Sequence, residues 1–410
     1  MTQEQIDKFG TQTIRSLRLE RRLLARLLGL LGNPPIAFIL WDGNTVEPPG
    51  VKGPWRVHLH DRGALWRLVT NPEYEFPEMY HRGRLTVEGD LVRFLEMIHR
   101  VRWSIEGTLP TLFTRLHRRR PGSPAQARDN IHRHYDIGND FYRLWLDRQM
   151  VYTCAYFPTP EISLEAAQIA KMDYVCRKLR LRPGERVVEA GCGWGALALH
   201  MARHYGVRVR AYNVSEQQVG QARKWSREEG LEDRVEFVLD DYRGIEGEYD
   251  VFVSVGMLEH VGPDHYGDLA QVMDRCLTPE GRGLIHSVAF DAPYPMNPWL
   301  ERYIFPGAQP PSLSQMSVLF EPWGFTVLDL ENLRLHYALT LRHWLERFEA
   351  HLEWVRERFD DDFIRAWRFY LASTQAAFTT GSMQLFQVCF NRAGNNDVPW
   401  TRAYLYRDTD

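Results

Sequence analysis

Short apolar runs bounded by polar turns recur through the middle of the chain: "RVVEAGCG", "VRVRAYNV", "VEFVLDD", "YDVFVSVGM" and "GRGLIHSVAF". Most are followed by apolar residues at helical spacing, so strands alternate with helices. That order predicts a doubly wound, mostly parallel α/β sheet, because parallel neighbours need a crossover and a helix is the usual one. Further on, Leu341, Trp344, Leu345, Phe348 and Leu352 in "YALTLRHWLERFEAHLEWV" predict a helix, and "QLFQVCFNR" alternates like a closing strand.

The first third reads differently. "TIRSLRLERRLLARLLGLLG" places Arg15, Arg18, Arg22 and Arg26 on one helical face and Leu17, Leu24, Leu28 and Leu31 on the opposite one. Such a helix either packs in its own domain with a solvated Arg face or lies on a membrane surface. "GRLTVEGDLVRFLEMIHRV" reads as a short strand or turn feeding a helix, and "LHRRRPGSPAQARDN" as an exposed linker. The expected organisation is a mainly helical accessory domain over residues 1–110, a linker over 111–129 and a catalytic domain over 130–410.

Composition narrows the class. A chain of 410 residues with 44% hydrophobic and 12% aromatic content is globular and long enough for two or three domains. A net charge of -3 gives no global attraction to nucleic acid, so no such partner is expected. The five cysteines are never spaced as C-x-x-C, which argues against a disulfide framework or a metal site and for a reducing cytoplasm. No apolar run approaches the roughly 18 residues that span a bilayer, so the expected location is cytoplasmic, at most peripheral on the inner face of the membrane.

The chemistry concentrates at the ends of the strands. In "VVEAGCGWGALALHMA" an apolar strand runs into Gly191, Gly193 and Gly195 and then into a helix, a turn that brings backbone close to a ligand. The pattern E-x-G-x-G-x-G, with Trp194 inside it, is similar to that of S-adenosylmethionine (SAM) methyltransferases. After the second strand, Ser215 and Gln218 could hold a ribose; after the third, Asp241 and Tyr242 could flank an adenine. Ser215 also fits a helix N-cap, and Asp241 a turn or cap. Upstream lies "IHRHYDIGNDFYRLWLDRQMVYTCAYF", a segment dense in aromatic and polar groups.

"HYDIGNDFY", "YTCAYF", "EAGCGWG", "VSVGMLEHVG", "LIHSVAF" and "HYALTLRHW" occur in that order. Over roughly residues 130 to 392 the chain resembles cyclopropane-fatty-acyl-phospholipid synthases, a family that includes mycolic acid cyclopropane synthases and methyltransferases forming precursors of tuberculostearic acid. The resemblance implies a class I methyltransferase fold, SAM as cofactor, and an upstream segment folded over the cofactor as a lid. It implies that Tyr152 and Thr153 contact the methionine end, that the Gly191, Gly193 and Gly195 turn approaches the cofactor, and that Ser215 and Gln218 lie near the ribose and Asp241 and Tyr242 near the adenine. It also implies a bicarbonate ion held by Cys154, Glu259, His286, the backbone of Val288, and Tyr337. Taken singly, Cys154 reads as a small buried hydrophobe, Tyr337 as a core aromatic and His286 as a structural histidine. Asn213 stands where the family usually has Thr.

The implied reaction is transfer of a methyl or methylene carbon to the cis double bond of unsaturated phospholipids, giving cyclopropane or methylene-branched chains. An alkene is a poor nucleophile, so alignment and exclusion of water must lower the barrier. The aromatic residues Tyr135, Tyr156, Tyr303 and Tyr337 are candidates for stabilising the cation that methyl transfer leaves on the chain. A homo-oligomer is expected, with a reductase partner if the product is a methylene compound. The competing expectation is a methyltransferase for a soluble small molecule, with the N-terminal domain serving dimerisation.

Overall fold

The computed structural model describes residues 18–29, 31–106 and 138–406. The predicted linker, Arg15, Leu17 and Tyr135 lie outside the described residues. The chain divides into two compact units: Met1–Phe113 with Asn297–Trp299 and Glu353–Thr380, and Thr114–Met296 with Leu300–Leu352 and Gly381–Asp410.

The first unit contains helix α1 (18–29), strands β1 (Ile36–Ile39), β2 (Thr45–Val46) and β3 (Trp55–Leu59), helices α2 (Arg62–Thr70) and α3 (Pro72–His81), strand β4 (Leu85–Glu88) and helix α4 (Leu91–Glu106). It is mainly helical, but its strands also pair into a sheet in the order β2-β1-β3-β4. Leu24 and Leu28 of α1 are buried, while Arg18, Arg21, Arg22 and Arg26 are exposed. Arg62 pairs with the buried carboxylate of Glu20, anchoring α1 to the start of α2. The helix Asp361–Thr380, which the sequence reading does not anticipate, packs against α3 and α4. Asp360 starts it by accepting from the Phe363 amide at 2.8 Å.

The second unit begins with α5 (Asn139–Trp145) and α6 (Leu164–Leu179). Then follow β5 (Arg186–Ala190), α7 (Ala196–Tyr205), β6 (Arg208–Asn213), α8 (Glu216–Glu228), β7 (Val235–Leu239) and β8 (Tyr249–Val255). Next come α9 (Leu258–Val261), α10 (Tyr266–Cys276), β9 (Leu277–Phe290), β10 (Phe325–Asn332), α11 (Arg334–Ala350) and β11 (Met383–Arg392). The seven strands are ordered β10-β11-β9-β8-β5-β6-β7. Strands β5 to β9 are parallel, and β11 runs antiparallel to both β9 and β10.

Adjacent residues of β5 belong to different cores: Val187 packs with Val209, Val251 and Leu284 on one face, Val188 with Phe252 and Ile285 on the other. Burial on both faces explains why these strands read as apolar runs. The strand order reverses beside β5, and in open α/β sheets ligands bind at such a switch point, beyond the carboxyl ends of the strands. Among the described residues no helix is long and apolar enough to cross a membrane.

Candidate active site

The glycine turn after β5 makes three different demands. Gly191, Gly193 and Gly195 have φ of +84°, +54° and +89°, the left-handed region that favours glycine. A β-carbon on Gly191 would lie 2.8 Å from Cβ of Met257, and one on Gly195 would lie 2.6 Å from the Phe237 ring. A β-carbon on Gly193 would meet nothing within 4 Å among the described residues. Gly191 therefore admits the turn after β8 and Gly195 admits the core under α7. Gly193 alone of the three borders open space.

Asn213, at the end of β6, ties this turn to the next. Its Nδ2 donates to the Gly193 carbonyl at 3.1 Å and to Gln218 Oε1 at 2.7 Å, while its Oδ1 accepts from the Ser215 amide at 3.2 Å. The amide side chain thus makes two donations and one acceptance, one donation more than a threonine hydroxyl could offer at this branch point. Ser215 caps α8, accepting from the Gln218 amide at 3.3 Å. Asp241 also caps: Oδ1 accepts from the Arg243 amide and guanidinium, each at 3.0 Å. Beside it, Tyr242 is buried with its hydroxyl unpartnered among the described residues, and burial pushes its phenol up.

The segment before the sheet is fastened over this crevice. Asn139 accepts from Trp194 Nε1 at 2.9 Å, and the rings of Tyr142 and Trp194 lie 5.2 Å apart. Asp147 turns the chain by accepting from the amides of Gln149 and Val151 at 2.9 and 2.8 Å. Gln168 of α6 donates to the carbonyls of Val151 and Thr153 at 3.2 and 2.9 Å. On the other side, Thr340 and His336 of α11 accept from the amides of Ala155 and Phe157, each at 3.0 Å. Tyr152 sits among Tyr142, Trp145 and Trp344, at ring separations of 5.6, 5.2 and 5.3 Å. The segment from Val151 to Phe157 is thus held between α6, which follows it closely in sequence, and α11, 179 to 185 positions away.

Beyond the end of β8, Glu259 on α9 reaches β9. Its Oε1 accepts from the Val288 amide at 2.5 Å, so the Val288 N–H is committed to Glu259. Oε2 is buried and unpartnered among the described residues, and burial pushes the carboxyl up to about 7. His286, two residues before Val288 and on the same side of the strand, is fully enclosed. The Gln387 amide lies 3.1 Å from its Nδ1; donation there places the imidazole proton on Nε2, which is buried without a partner among the described residues. Burial holds this imidazole neutral. Tyr337, on α11, is half-buried with its ring 5.8 Å from Trp344. The Cys154 thiol is buried and its pKa raised, so it stays protonated.

Tyr156 departs from the expectation of a free aromatic face. It is stacked with both Tyr174 (4.3 Å) and His336 (4.9 Å), so its faces are already covered. Arg302 lies 5.1 Å from the centroid of Tyr303. Beneath the lid lies a buried charge that no sequence motif marks. Lys171 of α6 donates to Thr153 Oγ1 at 3.1 Å, and burial pulls its pKa down to about 8. Glu189 of β5, under the glycine turn, is pushed up to about 8 by burial. A signal existed: Lys171 follows Leu164 and Ala167 and precedes Val175 on one apolar stripe, in a chain where lysine is scarce.

The mycolic acid cyclopropane synthetase family model matches residues 123–388. A protein of Pseudomonas putida named "Probable fatty acid methyltransferase" is 34% identical over 385 residues, covering 91% of this chain and 96% of its own. The cyclopropane-fatty-acyl-phospholipid synthase of Escherichia coli (strain K12) is 40% identical over 266 residues, 65% of this chain and 68% of that protein. Among solved structures, mycolic acid cyclopropane synthase CmaA1, complexed with SAH and CTAB, gives a TM-score of 0.62 at 28% identity, covering 65% of this chain and 98% of that one. The family expected from the ordered motifs is thus the family found: the chain belongs to the mycolic acid cyclopropane synthetases and is an SAM-dependent methyltransferase.

Proposed function

We propose that this enzyme adds a one-carbon unit to the cis double bond of unsaturated phospholipid acyl chains at a membrane surface, with bicarbonate held as the base. The observation that carries the reading is the pair of buried polar atoms, Glu259 Oε2 and His286 Nε2, which have no partner among the described residues. Leaving such groups unsatisfied costs about 1–3 kcal/mol each, and a small anion with both a donor and acceptors uses both.

The residues fit the two absent groups. SAM, when bound, supplies a methyl group on a cationic sulfur, and the open side of Gly193 gives it room. Bicarbonate supplies a base. Ionised Glu259 would accept from its hydroxyl, turning a like-charge contact into a hydrogen bond, while His286 and Tyr337 would help to hold it as donors. The Val288 amide acts indirectly, by fixing Glu259. Tyr152, held among its aromatic neighbours, and Thr153 close the methionine end, and the lid excludes water. Ser215, Gln218, Asp241 and Tyr242 line the nucleoside end.

The first unit is assigned the membrane contact, through exposed Arg18, Arg21, Arg22 and Arg26. Each basic residue near an anionic surface contributes about 1 kcal/mol. Charge reversal at Arg18 and Arg22 is expected to weaken vesicle binding at least about tenfold without altering SAM affinity; equal binding would return α1 to a purely packed role. If the product is a methylene compound, a reductase partner completes the methyl branch.

The deciding experiment is lipid mass spectrometry of unsaturated phospholipid vesicles incubated with enzyme and SAM carrying a deuterated methyl group. The expected product has lost one methyl deuterium, by ring closure or by methylene formation after a hydride shift. Full deuterium retention would overturn proton removal from the methyl group. Turnover of soluble acceptors with none on vesicles would overturn the lipid reading.

A further inference from the structure

Lys171 is 2% exposed and lies in the apolar stripe of α6, where a methionine would pack without the cost of desolvating a charge. Among the described residues its ammonium makes a hydrogen bond to Thr153 Oγ1 at 3.1 Å and no salt bridge. Asp147, Glu189, Cys154 and Cys176 act on it electrostatically from around the site, and it acts on His286. Asp147 accepts two backbone amides, and among the described residues no hydrogen bond or salt bridge joins it to the ammonium. The direct contact of this buried cation is therefore with a neutral hydroxyl of the lid.

Thr153 is pinned at three points. Gln168 holds its carbonyl and Lys171 its Oγ1, while its Cγ2 lies 2.9 Å from where a β-carbon on Gly256 would be. Gly256 precedes Met257, against which Gly191 closes. This places Thr153 next to the turn that closes on Gly191. A hydroxyl that accepts from an ammonium keeps its own proton for donation, and a neighbouring cation strengthens that donation toward an anion.

Resting on the cofactor placement proposed above, we infer that Lys171 is a positioning residue that fixes the Thr153 hydroxyl as a hydrogen-bond donor to the carboxylate at the amino-acid end of the bound cofactor. Its buried positive charge also attracts that carboxylate. The adenosine end is outside its influence.

Calorimetry with two probes tests this: S-adenosylhomocysteine, which carries the carboxylate, and 5′-methylthioadenosine, which lacks the amino-acid end. Lys171→Met is expected to weaken S-adenosylhomocysteine about 10- to 100-fold, the range of a charge-assisted hydrogen bond, and to leave methylthioadenosine within about twofold of wild type. Thr153→Val should show the same selectivity, and the double variant should lose little more than either single one. If Lys171→Met does not fold, Lys171→Met with Glu189→Gln removes both buried titratable groups and carries the same expectation. Equal weakening of both probes, or of neither, would overturn the inference and leave the cofactor reading intact. A wild-type protein that binds neither probe would overturn the cofactor reading, and the inference with it.

Discussion

Asn213, Ser215, Gln218 and Asp241, on the β6–β7 side of the crevice, use their side chains on partners close in sequence, apart from the Asn213 bond to the glycine turn. Glu259 and His286, on the β8–β9 side, are oriented by Val288 and Gln387, which lie 29 and 101 positions away, and each keeps one buried polar atom without a partner among the described residues. The first side is organised by turn and cap chemistry that forms whether or not a ligand is present. The second is assembled by the sheet and carries polar groups whose burial is unfavourable without a further partner. Shape on one side and reactivity on the other are therefore encoded at different distances along the chain.

The largest expected effect separates two glycines of one turn. Gly193→Val should lose measurable S-adenosylhomocysteine binding, because the new side chain enters open space; the left-handed φ should add about 1–2 kcal/mol of strain. Gly195→Val should instead unfold the unit, because its β-carbon would lie 2.6 Å from the Phe237 ring. Thermal melts beside calorimetry read both. Normal ligand binding by a folded Gly193→Val protein would remove the crevice as the cofactor site.

On the opposite side, Glu259→Gln should cut turnover about 100-fold or more while S-adenosylhomocysteine affinity stays near wild type. His286→Ala and Tyr337→Phe should change turnover in the same direction. A Glu259→Gln enzyme with near wild-type turnover would make that side as inert as the other.

The pH response is the next largest. Burial raises the Glu259 carboxyl from 4.5 to about 7, so the folded protein holds this proton more tightly than the unfolded chain. The stability linked to it is complete below the unfolded value and is lost as pH rises through about 7. Turnover should run the other way, because the ionised carboxylate is the form that accepts from the anion. A rise of about tenfold is expected between about pH 6 and about pH 8, and Glu259→Gln should flatten it. A wild-type profile flat across this range would detach Glu259 from the reaction.

The smallest effect belongs to the cap-organised side. Asn213→Ala removes hydrogen bonds worth about 0.5–1.5 kcal/mol each, and cofactor affinity should fall about three- to tenfold with turnover nearly unchanged. A turnover loss as large as that of Glu259→Gln would erase the distinction between the two sides.

Much of the fold was legible. The strands β5 to β9 show as apolar runs because both of their faces are buried, and α11 carries a clear periodicity; β11, expected to alternate, is instead buried at every residue from Leu385 to Asn391, because it lies between β9 and β10. β10 did not show: at the sheet edge, with Thr326 and Val327 exposed and a register shift between Val327 and Asp329, it lacks alternation and is defined by pairing with β11. The helix Asp361–Thr380 has a strongly apolar sequence, but its place in the unit containing α3 and α4 depends on residues roughly 280 positions away. In the candidate site, the glycine turn and the caps were readable as local patterns, and the ordered motifs pointed to the right family. Lys171 and Glu189 were overlooked because charge in an apolar stripe gains meaning from what surrounds it.

Sequence by itself determined the alternation of strands and helices, the family, and which side chains stand at the strand ends. Those properties follow from periods of two and 3.6 residues and from short turn motifs, which act within a few positions. Tertiary structure decided that Tyr156 has its faces covered, that Gly195 meets the core while Gly193 meets open space, that the Val288 amide holds Glu259, and that Lys171 lies beneath Thr153. It also set the protonation of Glu259 and His286, because the cost of a charge depends on how much water the surrounding elements exclude, and those elements come from distant parts of the chain.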